Sequence, residues 1–130
     1  DRVVWGRDNR GAMVRVVGTP GDPGAHLENR SGEPAANPYL YILSQLVSGL
    51  DGMQRELAPG APSDSPYRDG APRLPGNLGD AVAALDASAV FRRALGDGVV
   101  DWYVHLKRAE FARYLAEVSD WEQREYFDLL

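Results

Sequence analysis

Near the start of the chain apolar residues come in short runs, Val3-Val4-Trp5, Met13 to Val17 and Ala25 to Arg30, separated by glycine and proline. Runs of that length bounded by turn residues predict strands. The Gly18 to Gly24 stretch, with Pro20 and Pro23, joins the second run to the third, so the hairpin they form has a long loop instead of a tight Asn-Gly turn. After residue 36 the period changes. Asn37 can cap a helix with Pro38 at its first position, and Leu43, Leu46, Val47 and Leu50 follow at helical spacing. Leu40, Ile42 and Met53 widen the apolar surface beyond one stripe, which predicts a helix over 37–57 buried on most sides. Gly49 and Gly52 each lower helix propensity by roughly 1 kcal/mol relative to alanine, a cost consistent with close approach of a neighbouring backbone.

Residues 58–76 hold Pro59, Pro62, Pro66, Pro72 and Pro75 among glycines and serines and read as an extended loop, too long for a simple connector. Asn77 then caps a helix through Leu85, and Ser88 starts another around Val90, Phe91 and Leu95, with Gly96 and Gly98 as its stop. The last element runs from about Val99 to Phe127, as one helix or as two broken near Ser119. Its buried candidates are Trp102, Leu106, Phe111, Tyr114, Leu115 and Val118. The fold class is therefore α+β: a small antiparallel strand pair with a third strand in 1–30, followed by a helical majority that fills 77–130.

Composition narrows the functional classes. A length of 130 residues suits one domain. A net charge of -5 argues against binding to a phosphate backbone as the main task, so no nucleic-acid partner is expected. No apolar run approaches the roughly 20 residues that span a bilayer, and no membrane role is expected. The absence of cysteine removes disulfide frameworks and thiolate zinc sites and fits a cytoplasmic setting. The chain enters at Asp1 directly into Arg-Val-Val-Trp, as though in the middle of an element, which suggests a piece of something longer. His26 and His105 show no metal-ligand spacing.

Chemistry concentrates between His26 and Tyr39. Side chains two apart on a strand share a face, so Glu28 and Arg30 project together, one a hard anionic ligand and the other a planar fork for carboxylate or phosphate. On its own such a pair also reads as a cross-strand charge pair or a solvated face. The preceding run, Asn9-Arg10-Gly-Ala-Met-Val-Arg15, brings Arg10 and Arg15 beside it when the two strands pair.

Three stretches together resemble the glutamine synthetase family, in the carboxy-terminal part of its catalytic domain. Trp5-Gly6-Arg-Asp-Asn9-Arg10-Gly-Ala-Met-Val-Arg15 is similar to the family's nucleotide-site strand and Leu27-Glu28-Asn-Arg30 to its metal-and-substrate strand. Glu33-Pro-Ala-Ala-Asn37-Pro38-Tyr39 with Gly49-Leu50-Asp51-Gly52 is similar to the helix that follows. The order and spacing agree over about fifty residues. Two departures are His26, at a position often occupied by arginine in the family, and a Pro20 to Pro23 loop without the basic residues common there.

The resemblance implies an ATP-dependent ligase that forms glutamine from glutamate and ammonia through a γ-glutamyl phosphate, or a γ-glutamyl ligase for a larger amine such as a polyamine. It implies that Arg10 stabilises the transferring phosphoryl group and Arg15 contacts the nucleotide phosphates. Glu28 would bind Mg2+ or Mn2+, and Arg30 a carboxylate of glutamate. Family members form homo-oligomers and complete the metal site with further glutamates and a histidine upstream of this stretch. The isolated chain is accordingly expected to be inactive. A noncatalytic assembly or binding domain is the alternative from another functional class.

Overall fold

In the computed structural model, residues 2–68 and 70–129 are described; Asp1, Asp69 and Leu130, and with them the expected start and the last helical position, lie outside. The chain divides into two compact units, Asp1–Leu74 and Pro75–Leu130, where a single domain is the expectation from length.

The first unit is built on a three-stranded mixed sheet in the order β1 (Trp5–Arg7), β2 (Val14–Val17), β3 (His26–Asn29). Strands β2 and β3 form the expected antiparallel pair, with Arg15 opposite Glu28 and Val17 opposite His26. The third strand lies on the other side of β2 and runs parallel to it, with Trp5 opposite Val14 and Gly6 opposite Arg15. Parallel neighbours ordinarily need a dozen or more connecting residues, whereas only six separate Arg7 from Val14. The short connection works because it folds back over one sheet face. Asp8 turns the chain in the left-handed region at φ 48°, which aspartate tolerates better than most residues. Asn9 Oδ1 accepts from the Gly11 amide at 3.0 Å, and Ala12 is buried at 2% exposure. Gly6 leaves the room: a Cβ there would lie 3.0 Å from Asn9 Cβ and 2.9 Å from the Ser63 carbonyl oxygen.

Alternation divides the sheet into two unlike faces. Trp5, Val14, Val16 and Leu27 share one, where with Val3 and Pro59 they line an apolar cavity of about 420 Å³. Gly6, Arg15, His26 and Glu28 share the other.

Helix α1 (Pro38–Gln54) starts as its sequence requires: the Asn37 side chain accepts from the Tyr39 and Leu40 amides, with Pro38 at the first position. Asn29 Nδ2 donates to Gln45 Oε1 at 2.7 Å and ties the helix to the end of β3. The expectation of a helix buried on most sides is corrected. No residue of α1 is buried; Leu40, Leu43 and Val47 are half-buried, while Ile42, Leu46, Leu50 and Met53 stand exposed. Gly49 and Gly52 likewise mark no close approach, since a Cβ at either would meet nothing within 4 Å. The proline-rich stretch from 58 to 76 is extended, as expected, and is held along β1. The Ser63 amide donates to the Trp5 carbonyl at 2.7 Å, the Val3 amide to the Pro72 carbonyl at 2.8 Å, and Trp5 Nε1 to the Pro59 carbonyl at 3.0 Å. One edge of the sheet is thereby partly covered.

The second unit contains α2 (Leu78–Asp86), α3 (Ala89–Leu95), α4 (Asp97–Leu115) and α5 (Asp120–Tyr126), with a short 3-10 turn over Phe127–Leu129. Asn77 and Ser88 cap α2 and α3 as expected. Ser119 breaks the last element and starts α5 with a capping box closed by Glu122. Gly98 does not stop a helix; α4 starts one residue earlier, directly after Gly96, whose φ of 81° redirects the chain. The predicted buried set on α4 is also corrected. Val100 and Val104 are buried against Val82, with Leu85, Phe91 and Leu95 around them. By contrast Trp102, Leu106, Tyr114, Leu115 and Val118 are exposed and Phe111 is half-buried. The bulky side chains of α4 point away from the packed seam, whereas the small β-branched pair at i, i+4 faces the neighbouring helices.

Candidate functional site

The polar sheet face places Glu28 among three basic side chains. Arg15, directly opposite on β2, sends Nη1 to within 3.4 and 3.3 Å of the two Glu28 oxygens, and Arg30 Nη1 lies 3.2 Å from Oε2. On the far side of Arg15, Nη2 lies 3.4 Å from Asp8 Oδ1. His26 completes the group, with Nε2 3.5 Å from Glu28 Oε1 and Nδ1 2.7 Å from the Gly24 carbonyl oxygen. Arg10 joins through its main chain: Arg30 Nε donates to the Arg10 carbonyl at 2.9 Å. The two-residue repeat of β3 and the register of β2 thus gather Arg15, Glu28 and Arg30 on one face, and the folded-back turn brings the Arg10 main chain, though no contact of its side chain, against Arg30. The charge-pair reading and the site reading describe the same contacts, since Arg15 and Arg30 do pair with Glu28.

The sequence left Asp8, Asn9 and Ser63 aside, and it set His26 apart for want of a spaced partner. The i, i+2 relation to Glu28 on a strand was a usable signal for His26. None existed for Ser63, whose place depends on 58–76 returning to β1.

Partial desolvation pushes the Glu28 carboxyl upward, but hydrogen bonds from His26 and Arg30 and the charge of Arg15 together hold it below its ordinary value. It is therefore ionised at neutral pH. The Gly24 carbonyl, with help from Glu28, raises His26. Among the described residues Arg15 Nε is buried with no hydrogen-bond partner, so this guanidinium is held by its two terminal nitrogens. Arg15 and Arg30 here face Glu28 and Asp8, a local balance of charge in a chain that is acidic as a whole.

Guanidiniums placed this way have the planar donor geometry that suits phosphate or carboxylate groups. As a metal site it is incomplete: Glu28 supplies one hard oxygen ligand, two guanidiniums already neutralise it, and no group of three metal-type side chains lies together among the described residues. The donor set fits one edge of a metal-phosphate complex, with the phosphates and other ligands supplied from elsewhere.

Fold and face together define a small mixed sheet with a charged arginine–carboxylate face. A family model described as "Glutamine synthetase, catalytic domain" matches residues 2–126, and the chain belongs to that family. Its relatives include a γ-glutamylanilide synthase of Acinetobacter sp, 44% identical over 100% of this chain and 28% of its own length. A glutamine synthetase of Halobacterium salinarum is 38% identical over 97% and 30%. A glutamate–methylamine ligase of Methyloversatilis universalis is 37% identical over 97% and 29%. The solved structure of apo GmaS without ligand superposes with a TM-score of 0.84 at 36% identity, covering 98% of this chain and 30% of that one. A GmaS/ADP complex gives 0.84 at 37% identity, covering 98% and 29%. The chain thus spans just under a third of the length of these relatives. No helix among the described residues is long and apolar enough to cross a membrane.

Proposed function

We propose that this chain is the carboxy-terminal active-site segment of a ligase that joins an amine to the side-chain carboxylate of glutamate, with ATP, through a γ-glutamyl phosphate. The observation that carries the reading is the Arg15–Glu28–Arg30 constellation on one sheet face, with the Arg10 turn bonded to Arg30. Each chemical stage gathers negative charge, and fixed cations aimed at developing charge lower its barrier. Arg10 holds the transferring phosphoryl group. Arg15 supplies positive charge toward the nucleotide phosphates while keeping Glu28 in place. Arg30 receives a substrate carboxylate, for which its planar fork is better shaped than a lysine ammonium. Glu28 holds one side of Mg2+ or Mn2+ together with phosphate oxygens; when bound, the ion neutralises phosphate charge.

Ammonia is the amine of the leading reading. An organic amine is the second, and it has its own support in γ-glutamylanilide synthase and glutamate–methylamine ligase among the relatives. Phosphate release is the test, in a protein of the relatives' length that carries this segment, with glutamate, ATP and ammonia, methylamine or aniline in turn. Glutamate-dependent release with at least one amine is expected; release with none overturns the ligase reading and favours a noncatalytic binding domain. Release with aniline or methylamine but not ammonia replaces the leading amine. The 130-residue chain alone is expected to release none, because no group of three metal-type side chains lies together among its described residues. Homo-oligomers are part of the same reading, and the uncovered α1 stripe supports them, since large exposed apolar patches favour association.

A further inference from the structure

The proline-rich stretch from Pro59 to Tyr67 is used by none of the chemistry above, yet it touches the turn that carries Arg10 on both sides of that residue. Before Arg10, Asn9 Nδ2 donates to the Ser63 carbonyl at 3.3 Å and lies 3.5 Å from the Asp64 carbonyl oxygen. After it, Gly11 is covered by the strap: a Cβ there would sit 3.0 and 3.1 Å from Tyr67 Cε2 and Cζ and 3.2 Å from Pro66 Cγ. Pro66 and Ser63 are buried, and Tyr67 is 74% exposed, so its ring covers Gly11 with one side and faces solvent with the other. The strap is itself anchored. Ser63 donates its amide to the Trp5 carbonyl, and the Trp5 indole donates to the Pro59 carbonyl, so the start and the middle of the covering piece are tied to β1. Prolines at 59, 62 and 66 restrict the free chain and reduce the entropy lost in holding this path.

We infer that the Pro59–Tyr67 strap is a positioning element for Arg10, acting through Asn9 and Gly11. The turn is too short to hold itself: within it Asn9 accepts from Gly11 and Ala12 donates to Asn9. The Arg10 side chain must meet a phosphoryl group in flight, and a displacement of about 1 Å at such a group costs on the order of 100-fold in rate. The strap fixes the main chain before and after Arg10, and Arg30 fixes its carbonyl. Only the arginine side chain is left to move. Asn9, Ser63, Pro66 and Tyr67 are thus positioning residues; none of them need touch substrate.

The inference rests on the reading of Arg10 as the phosphoryl-group arginine, and variants in the full-length ligase of that reading separate the two. Asn9→Asp keeps the oxygen that accepts from Gly11 but replaces the strap donor with a carboxylate facing two carbonyl oxygens. Tyr67→Ala removes the cover from Gly11 at an exposed position where folding is not at stake. Each is expected to lower kcat at least tenfold with KM for glutamate within twofold, and to speed hydrogen exchange at the Gly11 and Ala12 amides while β2 and β3 stay protected. Tyr67→Phe, which keeps the ring, should restore kcat to within twofold. The double variant should lose no more than about threefold beyond the worse single, because both release the same turn. Should Arg10→Ala collapse kcat while Asn9→Asp and Tyr67→Ala stay within twofold of the parent, the strap has no positioning role although Arg10 keeps its own. If Arg10→Ala leaves kcat unchanged, the underlying assignment fails and the inference with it.

Discussion

The helical unit closes a core of its own, and the strand unit does not. In Pro75–Leu130, Val82, Val100 and Val104 are buried together, and around them Arg92 pairs with Asp86, Asp97 and Asp101 while Arg108 reaches Asp86 at 2.7 Å. In Asp1–Leu74, Ala12 and Pro66 are the buried apolar side chains among the described residues, the apolar sheet face opens on a cavity, and α1 leaves a stripe exposed. What organises the strand unit is polar: Arg15, Glu28 and Arg30 on one face, and a strap bonded to a turn. Apolar closure and the proposed site thus fall in different units. The arrangement agrees with functional surfaces giving up packing for placed charge.

The sharpest way to break that contrast is to spoil the small core. Val104→Asp puts a carboxylate among Val82, Val100 and Leu95 without a partner, and an uncompensated buried charge is among the most damaging changes known. Circular dichroism should show loss of much of the helical signal, and hydrogen exchange should show loss of protection along α4, while β2–β3 amides are affected far less. Val104→Ala should cost roughly 2–3 kcal/mol from two lost methyl groups and the cavity they leave. Full retention of α4 protection in the Asp variant would mean that the three valines are not the unit's core.

Glycine-to-alanine changes should have opposite signs in the two units. A Cβ on Gly79 would lie 2.5 Å from Phe111 Cε1, inside van der Waals contact between α2 and α4, so Gly79→Ala is expected to destabilise by about 1–3 kcal/mol. At Gly49 the same substitution meets open space in a regular helix and should stabilise α1 by up to about 1 kcal/mol. Denaturant midpoints followed by exchange in each unit would check both. A destabilising Gly49→Ala in a longer protein would show that another backbone approaches there, restoring the close-packing reading that this chain does not satisfy.

The ion-pair cluster gives the contrast a pH dependence. Arg108 first, and Arg92 with it, hold the Asp86 carboxyl below its ordinary value of 3.8. A carboxyl depressed in the folded state adds stability above its unfolded pKa and loses it as pH falls through the folded one. The helical unit should therefore weaken below about pH 4. Asp86→Asn should lower stability at pH 7 and flatten that acid-side loss; an unchanged acid slope, read from urea midpoints between pH 2.5 and 7, would show that Asp86 does not report on the fold.

How far these features could be read from sequence depends on the range of the interaction responsible. Asn37-Pro38, Asn77, Ser88 and Ser119 are local signals, and each cap stands where its side chain can reach an amide two or three residues on. The Glu28–Arg30 face follows from strand alternation, and its partner Arg15 from the hairpin register. The parallel β1 was not legible, because its six-residue connection contradicts the usual length rule and depends on Gly6 admitting Asn9 and Ala12. Burial failed for α1 and α4 for one reason: periodicity reports that a face is apolar, not what covers it. Leu46 and Trp102 satisfy the period and are exposed, whereas Val100 and Val104 are smaller and buried. The strap's contact with the Arg10 turn joins residues more than fifty positions apart and has no local signature.

The smallest expected effect bears most directly on what covers α1. Leu46 is 58% exposed and Leu50 53%, so glutamine at either removes little buried apolar area and should change stability by no more than about 0.5 kcal/mol. The same substitutions break an apolar stripe that includes Ile42 and Met53, and light scattering should show less self-association of the chain at high concentration. Stability and association are therefore expected to separate. A loss well above 1 kcal/mol with no change in association would instead place these leucines in an internal contact and return α1 to the buried helix that its periodicity suggests.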